Sequence, residues 1–206
     1  MARASALRKM VVGAIVGTGL ASVPVSLPAA VTGEFVEVDR VRFTSAYTGR
    51  DERLDLRGAA LLRWRRLFRA YVAALYLPPL TPPEDVLEEV SKRLEIEYFW
   101  SIRAEDFGRA ADQLLGQNLD AETLAPLRSR LDEMHAAYES IEAGDRYALD
   151  YRPGSGTELS KNGRPLVVIP GADFAAAYFS IWLGESPIDP SLRDSLLGTL
   201  PMRAQE

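Results

Sequence analysis

Four arginines and a tyrosine lie close together in the chain and could bind an anion jointly. Residues 63–71 read RWRRLFRAY, in which Arg63, Arg65, Arg66 and Arg69 precede Tyr71. A guanidinium group holds a carboxylate through two parallel hydrogen bonds, and a phenol hydroxyl can donate a third. The run that follows Tyr71 is apolar. These residues therefore predict a pocket for an apolar molecule with an anionic head, and the alternative is an arginine-rich loop in water.

Arg63 and Tyr71 can meet only if the chain turns between them. Residues 54–62 and 67–77 both have the composition of extended strands, and a bend near residues 64–66 would join them as a hairpin. Tyr71 would then lie roughly 13 Å along its strand, within reach of an extended arginine on the same face. In one straight strand the two residues would be roughly 26 Å apart. The predicted site therefore depends on the hairpin.

Other kinds of catalytic or binding site find little support. Cysteine is absent and His135 is the one histidine, which argues against thiol catalysis, disulfides and a transition-metal site. The sequence has no glycine-rich phosphate loop and no nucleophile elbow. A net charge of −5 over 206 residues argues against a nucleic-acid binder. We therefore expect no metal, no cofactor and no nucleic-acid partner.

The N-terminus has the pattern of a secretory signal peptide. Residues 1–10 contain Arg3, Arg8 and Lys9 without an acid, and residues 11–23 are uncharged and apolar. This apolar run of roughly 13 residues suits a signal peptide and is short for a membrane span, which needs about 20 residues. We expect residues 1–33 to direct export, and residues 34–206 to form one periplasmic or secreted domain. If the segment is instead an uncleaved anchor, it alone would contact a membrane.

The rest of the chain is predicted to mix short strands and helices. Strands are expected at residues 34–47, 54–62, 67–77, 94–102 and 147–151, followed by a hairpin with Asn162-Gly163 at its turn. Helices are expected at residues 81–93, 104–119, 121–139 and 170–184, with a short one after Pro190. The links are hairpin-length and few β-α-β units occur, so the fold class is α+β: an antiparallel sheet covered by helices. Both faces of strand 67–77 are apolar, which predicts cover on both sides.

Three stretches of the chain resemble the bacterial chalcone isomerase-like proteins. They are LFRAYVAALYLP at 67–78, YRPGSGTELSKNG at 151–163 and IPGADFAAAYFSIWLGESPIDPSLRDSLLG at 169–198. In order and spacing they cover most of residues 54–198. The resemblance implies an open-faced β-sandwich, in which a large antiparallel sheet and its helices surround a lipophilic cleft.

The resemblance also implies a ligand and the residues that hold it. In fatty-acid-binding members of this superfamily, an arginine before the central strand and a tyrosine within it hold the carboxylate. The matching residues here are Arg63 and Tyr71. Such members carry a glycine-rich stretch before the arginine, of which residues 58–62, GAALL, keep only a part. Arg57 is the alternative to Arg63.

The catalytic residues of the related plant enzymes are not matched. Those enzymes use a tyrosine and a lysine at the start of the helix after the aromatic strand, where Phe107 and Ala110 stand here, and residues 101–119 contain neither Tyr nor Lys. The resemblance therefore favours a non-catalytic domain that binds a fatty acid or similar lipophilic carboxylate. One alternative is an isomerase acting on a chalcone or an unknown substrate. Another is a structural or partner-binding protein whose cleft is filled by Trp64, Phe99 and Trp100.

Overall fold

The computed structural model of the chain describes residues 34–48, 52–64 and 68–199, without the side chain of Trp64. The strands are β1 (Phe35–Val38), β2 (Val41–Thr44), β3 (Ala46–Thr48), β4 (Arg53–Trp64), β5 (Phe68–Leu77), β6 (Lys92–Tyr98), β7 (Arg146–Arg152), β8 (Gly156–Lys161) and β9 (Arg164–Ile169). The helices are α1 (Ala104–Asn118), α2 (Ala121–Leu124), α3 (Arg128–Ala137), α4 (Ala172–Leu183) and α5 (Pro190–Leu196). The predicted signal peptide lies outside the described residues.

Strands β3 to β9 form one antiparallel sheet in which each strand pairs with the next in sequence. The α+β prediction is therefore confirmed. The predicted hairpin of β4 and β5 is confirmed as well, because Trp64 faces Phe68 and Arg63 faces Arg69 across the strand pair. The turn itself, residues 65–67, lies outside the described part of the chain.

The side chains of β5 alternate between two apolar cores. Tyr71, Ala73 and Leu75 point to the face covered by the helices, which we call the inner face. Val72, Ala74 and Tyr76 point to the outer face, where the separate two-stranded sheet β1–β2 supplies Val41 and Phe43. The predicted cover on both sides of β5 is therefore confirmed.

The same alternation separates charged from apolar side chains along β6 and β7. Arg93 pairs with Glu95 at 2.8 Å and with Asp150 at 3.1 Å, and Arg146 pairs with Glu95 at 3.0 Å and with Glu97 at 2.7 Å, all on the outer face. The inner positions of β6 between these charges, Leu94 and Ile96, are buried. The pairing confines charge to one side of the sheet and leaves apolar side chains for the helices to cover.

Lys92, at the first position of β6, is the exception on the inner face. It is fully buried, its Nζ donates to Glu88 O at 2.8 Å and it lies 4.5 Å from the centre of the Tyr151 ring. Burial lowers the pKa of Lys92 to about 8, although the nearby Glu88 and Glu89 act in the opposite direction.

Three predicted elements are wrong in their type or extent. The helix expected over residues 81–93 is a single 3₁₀ turn at Pro83–Asp85, because Lys92 and Arg93 pair with β7 as the start of β6. The single strand expected at 34–47 is the hairpin β1–β2, whose turn residues Asp39 and Arg40 have φ of 52° and 70°. The helix expected over 121–139 is interrupted by a 3₁₀ turn that contains Pro126.

No helix among the described residues is long and apolar enough to cross a membrane.

Helix α5 lies against β4 at Gly58. A Cβ atom at this position would stand 2.1 Å from Ser195 O and 2.7 Å from Leu196 O. Arg57 secures the same contact, since its Nε donates to Leu197 O at 2.9 Å. The glycine therefore allows the close approach of helix and strand.

We expect Gly58→Ala to lower the free energy of unfolding by about 1–3 kcal/mol, because backbone atoms of α5 must move away from the added methyl group. Gly116→Ala on α1 is the control: a methyl group there would meet no neighbouring element within 4 Å, so this change should stabilise the helix by about 0.5–1 kcal/mol. Urea denaturation measures both. Equal stability of the two variants would contradict the proposed contact.

Candidate ligand cavity

A cavity of about 450 Å³ lies between the inner face of the sheet and the helices. Its wall is almost entirely apolar or aromatic. The described residues that line it are Leu62, Ala70, Tyr71, Tyr98, Trp100, Ile102, Asp106, Phe107, Ala110, Ala111, Leu114, Tyr138, Tyr178, Ile181, Trp182 and Ile188. A volume within about 300–1,000 Å³ and an apolar wall with few polar groups are typical of small-molecule sites.

Contacts between aromatic rings fix the shape of the wall. Phe107 of α1 stacks on Tyr138 with ring centres 4.8 Å apart, and Tyr98 meets Phe107 edge-on at 5.7 Å. Behind them the Tyr147 hydroxyl donates to Glu139 O at 2.7 Å and accepts from Glu139 N at 2.9 Å. Burial raises the pKa of Tyr147 to about 12. These contacts connect β6 and β7 to α1 and to the segment after α3, so the wall is built before any ligand binds.

The polar groups of the cavity are phenol hydroxyls with defined hydrogen bonds. Tyr138 and Tyr178 share one hydrogen bond of 3.0 Å between their hydroxyl oxygens. Trp182 Nε1 donates to the Tyr71 hydroxyl at 3.1 Å. An indole nitrogen can only donate, so the Tyr71 oxygen is the acceptor and its own proton has no acceptor among the described residues. The Tyr98 hydroxyl likewise has no hydrogen-bond partner within that part of the chain.

These phenols are neutral at physiological pH. Burial raises the pKa of Tyr71, Tyr98 and Tyr178, and the pKa of Tyr138 is raised for the same reason. Among the described wall residues only Asp106 carries a charge, and it is paired with Arg109 at 3.0 Å and with Arg103 at 3.5 Å. The wall can therefore offer hydrogen-bond donors to a ligand, but no buried cation and no phenolate.

Tyr71 lies on the cavity wall, whereas Arg63 is not among the described wall residues. A bulge between Leu62 and Arg63 changes the pairing, so that Arg63 faces Arg69. Arg69 bonds to the Asp39 carboxylate and lies 4.3 Å from the centre of the Phe99 ring, on the outer face. Directly opposed residues share a face of the sheet, so the bulge directs Arg63 to the side away from Tyr71. The role of these two residues toward a ligand stays a prediction.

Arg57, the alternative to Arg63, and Phe99, one of the residues expected to fill the cleft, do not line the cavity. Arg57 is occupied at α5, and Arg65 and Arg66 lie outside the described residues. Phe99 packs in the outer core. Trp100 lines the cavity but is 60% exposed. The described side chains thus leave the cleft open, against the expectation that Phe99 and Trp100 fill it.

Phe107 and Ala110, the residues that stand in for the catalytic tyrosine and lysine, both line the cavity. They present only carbon and hydrogen there. Sequence reasoning missed Tyr98, Tyr178 and Trp182 as wall residues. The spacing of Phe174, Tyr178 and Trp182 along α4 was the available signal, since residues four apart share one face of a helix.

Comparison with known proteins places this geometry in a family. The family model described as chalcone isomerase-like matches residues 35–198. Among solved structures, the chain is similar to the Arabidopsis thaliana fatty-acid binding protein AtFAP1, with a TM-score of 0.61 and 14% sequence identity over 81% of this chain and 97% of that one. At this identity the likeness concerns the fold. No curated protein sequence matches the chain.

We expect the purified protein to leave the ring closure of 2′-hydroxychalcone at its rate in buffer. Phe107 and Ala110 cannot exchange a proton, and burial keeps the cavity phenols protonated. The loss of chalcone absorbance at neutral pH measures the rate. A faster reaction that returns to the buffer rate in Arg63→Ala would contradict this expectation.

Proposed function

Since the chain belongs to the chalcone isomerase-like family, we propose that it binds a small lipophilic ligand, a long-chain fatty acid, between the sheet and the helices. The observation that carries the proposal is the open apolar cavity of about 450 Å³ with two phenol protons not used by the protein. The fatty-acid binding protein of similar fold supports the choice of ligand class.

The tail of the ligand is proposed to lie along the apolar part of the wall. Leu114, Ile181 and Ile102 line it together with the aromatic rings. Each methylene removed from water contributes about 0.8 kcal/mol before ordering costs. Such a wall favours an alkyl chain without specifying its length, so the polar end must determine which lipophiles bind.

The head is proposed to accept hydrogen bonds from Tyr71 and Tyr98. Because Trp182 donates to the Tyr71 oxygen, the remaining proton of Tyr71 is available to an acceptor. The ring centres of Tyr71 and Tyr98 are 5.5 Å apart, so both side chains belong to one region of the wall. This arrangement suits a carboxylate or carbonyl oxygen and disfavours a head that can only donate, such as an ammonium group.

Arg63 is proposed to act on the head from outside the cavity. Its backbone follows Leu62, a wall residue, and its side chain is exposed. An exposed charge attracts a carboxylate weakly, since water and salt screen it. Its contribution should therefore be smaller than that of a buried arginine and should fall as salt is added.

We expect Tyr71→Phe to weaken the binding of a fluorescent fatty acid by about 0.5–1.5 kcal/mol, the value of one hydrogen bond. Arg63→Ala should cost up to about 1 kcal/mol at low salt and less at high salt. Fluorescence titration in buffer without vesicles measures both affinities.

The matched control is Arg53→Ala, because Arg53 is also exposed but starts β4 at the end of the strand opposite to Arg63. Its affinity should equal that of the wild type. Equal losses in Arg53→Ala and Arg63→Ala would reduce the arginine effect to net charge. Unchanged affinity in Tyr71→Phe would overturn the proposed head site.

We also propose that the domain is exported, which rests on the signal-peptide pattern of residues 1–33. Expressed in a bacterium, the full chain should yield a periplasmic form that lacks about 30 N-terminal residues. N-terminal sequencing of the periplasmic fraction tests this. A periplasmic chain that still begins at Met1 or Ala2 would exclude cleavage.

A further inference from the structure

Exposed apolar side chains surround the mouth of the cavity. Phe68 is 53% exposed, Trp100 60% and Ile188 36%. Trp100 and Ile188 line the cavity, and Trp100 Nε1 donates to Arg69 O at 2.6 Å, which holds the indole beside the start of β5, where Phe68 lies. We call these three residues, together with Arg103 and Arg109, the mouth surface.

The charges of the mouth surface are arranged so that guanidinium groups point outward. The side chains of Arg103 and Arg109 are each 70% exposed, whereas that of Asp106, which they share, is 36% exposed and that of Glu105, the second partner of Arg103, is 55% exposed. The cations thus lie further into solvent than the acids they neutralise, in a chain whose net charge is −5.

We propose that the mouth surface docks on a lipid bilayer that contains anionic phospholipids. Aromatic side chains with a polar edge, such as tryptophan, are favoured at the boundary between headgroups and acyl chains. Exposed arginines next to them are attracted to anionic headgroups. The sequence alone confined membrane contact to the N-terminal segment, and this surface is a second, peripheral contact that needs no spanning helix.

This docking goes beyond ligand binding, because a domain could equally take up a fatty acid from water. With the mouth against a bilayer, the apolar tail would move between membrane and cavity without full exposure to water. The avoided cost grows by about 0.8 kcal/mol for each methylene group. The position of Trp100 and Ile188, which belong both to the cavity wall and to the exposed rim, makes this route continuous.

The opposite end of the β4–β5 hairpin provides a matched reference. Leu80 follows β5 and is 94% exposed, and Arg53 begins β4 with a side chain that is 67% exposed and paired with Asp55. Strand β5 spans 10 residues, so Leu80 and Phe68 are separated by roughly 30 Å or more at strand rise. The reference end thus offers an exposed apolar residue and an ion-paired arginine away from the cavity.

The absence of cysteine from the chain allows a local test of docking. Phe68→Cys and Leu80→Cys, each labelled with the environment-sensitive dye NBD, are mixed with vesicles of phosphatidylcholine containing phosphatidylglycerol. We expect the NBD emission at position 68 to rise at least twofold and shift to shorter wavelength, and the emission at position 80 to stay unchanged. With vesicles of phosphatidylcholine alone, the response at position 68 should be much smaller.

The local label separates docking from attachment through residues 1–33. A chain tethered only by its N-terminus would sediment with vesicles, but the label at position 68 would remain in water. That result, or equal responses at positions 68 and 80, would overturn the proposal. Fatty-acid affinity measured without vesicles is a separate quantity, so loss of the head site would leave the docking signal intact.

The charge contribution is tested with Arg103→Gln and its control Arg53→Gln, by vesicle titration of the chain labelled at position 68. Removing one basic residue near an anionic surface should weaken vesicle binding about fivefold, and Arg103→Gln should show this loss at low salt. Arg53→Gln should bind as the wild type does. Equal affinities of the two variants would exclude Arg103 from the docking contact.

Discussion

The two-residue alternation of side chains along the central strands decides where a ligand can bind in this protein. Along β6 it sends Arg93, Glu95 and Glu97 to the outer face and Leu94 and Ile96 to the inner face. A shift of one residue in pairing would exchange the two sets. The outer ion pairs join β6 to β7 and oppose such a shift, because each charge would lose its partner and enter an apolar layer. The apolar cavity therefore depends on charges that lie on the other side of the sheet.

In the proposed ligand site, hydrogen-bond direction replaces charge as the source of selectivity. A buried cation would need a partner of its own, whereas a phenol held neutral by burial can remain unpaired at smaller cost. Trp182 removes the acceptor capacity of Tyr71 by donating to it. The Tyr71 hydroxyl is then left to donate its proton in a hydrogen bond, and the contact with Trp182, not the ligand, sets the direction of that bond. Such a wall distinguishes heads by whether they accept a hydrogen bond, which is a chemical distinction that an apolar surface cannot make.

The sequence predicted the hairpin of β4 and β5, the two-sided cover of β5 and the α+β class, because each follows from local patterns of apolar residues. It could not predict the side on which Arg63 lies. An uninterrupted pairing of β4 with β5, continued from the turn, would put Arg63 and Tyr71 on the same face of the sheet. The register shift between Leu62 and Arg63 puts them on opposite faces instead. A bulge adds one residue to one strand without a reliable sequence signal. The helix expected at 81–93 failed for a different reason, since long-range pairing of Lys92 and Arg93 with β7 overrode a local capping pattern.

The two ends of a fatty acid place opposite demands on such a cavity. The tail gains free energy from every apolar atom it meets, while a carboxylate loses hydration that two neutral phenols replace only in part. A head near the mouth resolves the conflict, because water and exposed arginines can supply what the wall does not. Tyr71 lies three residues from the exposed end of β5 and is itself buried. The ring of Tyr71 belongs to the apolar wall, while its hydroxyl, which accepts from Trp182, still has a proton to donate, and an amphipathic ligand requires this combination of apolar surface and donor.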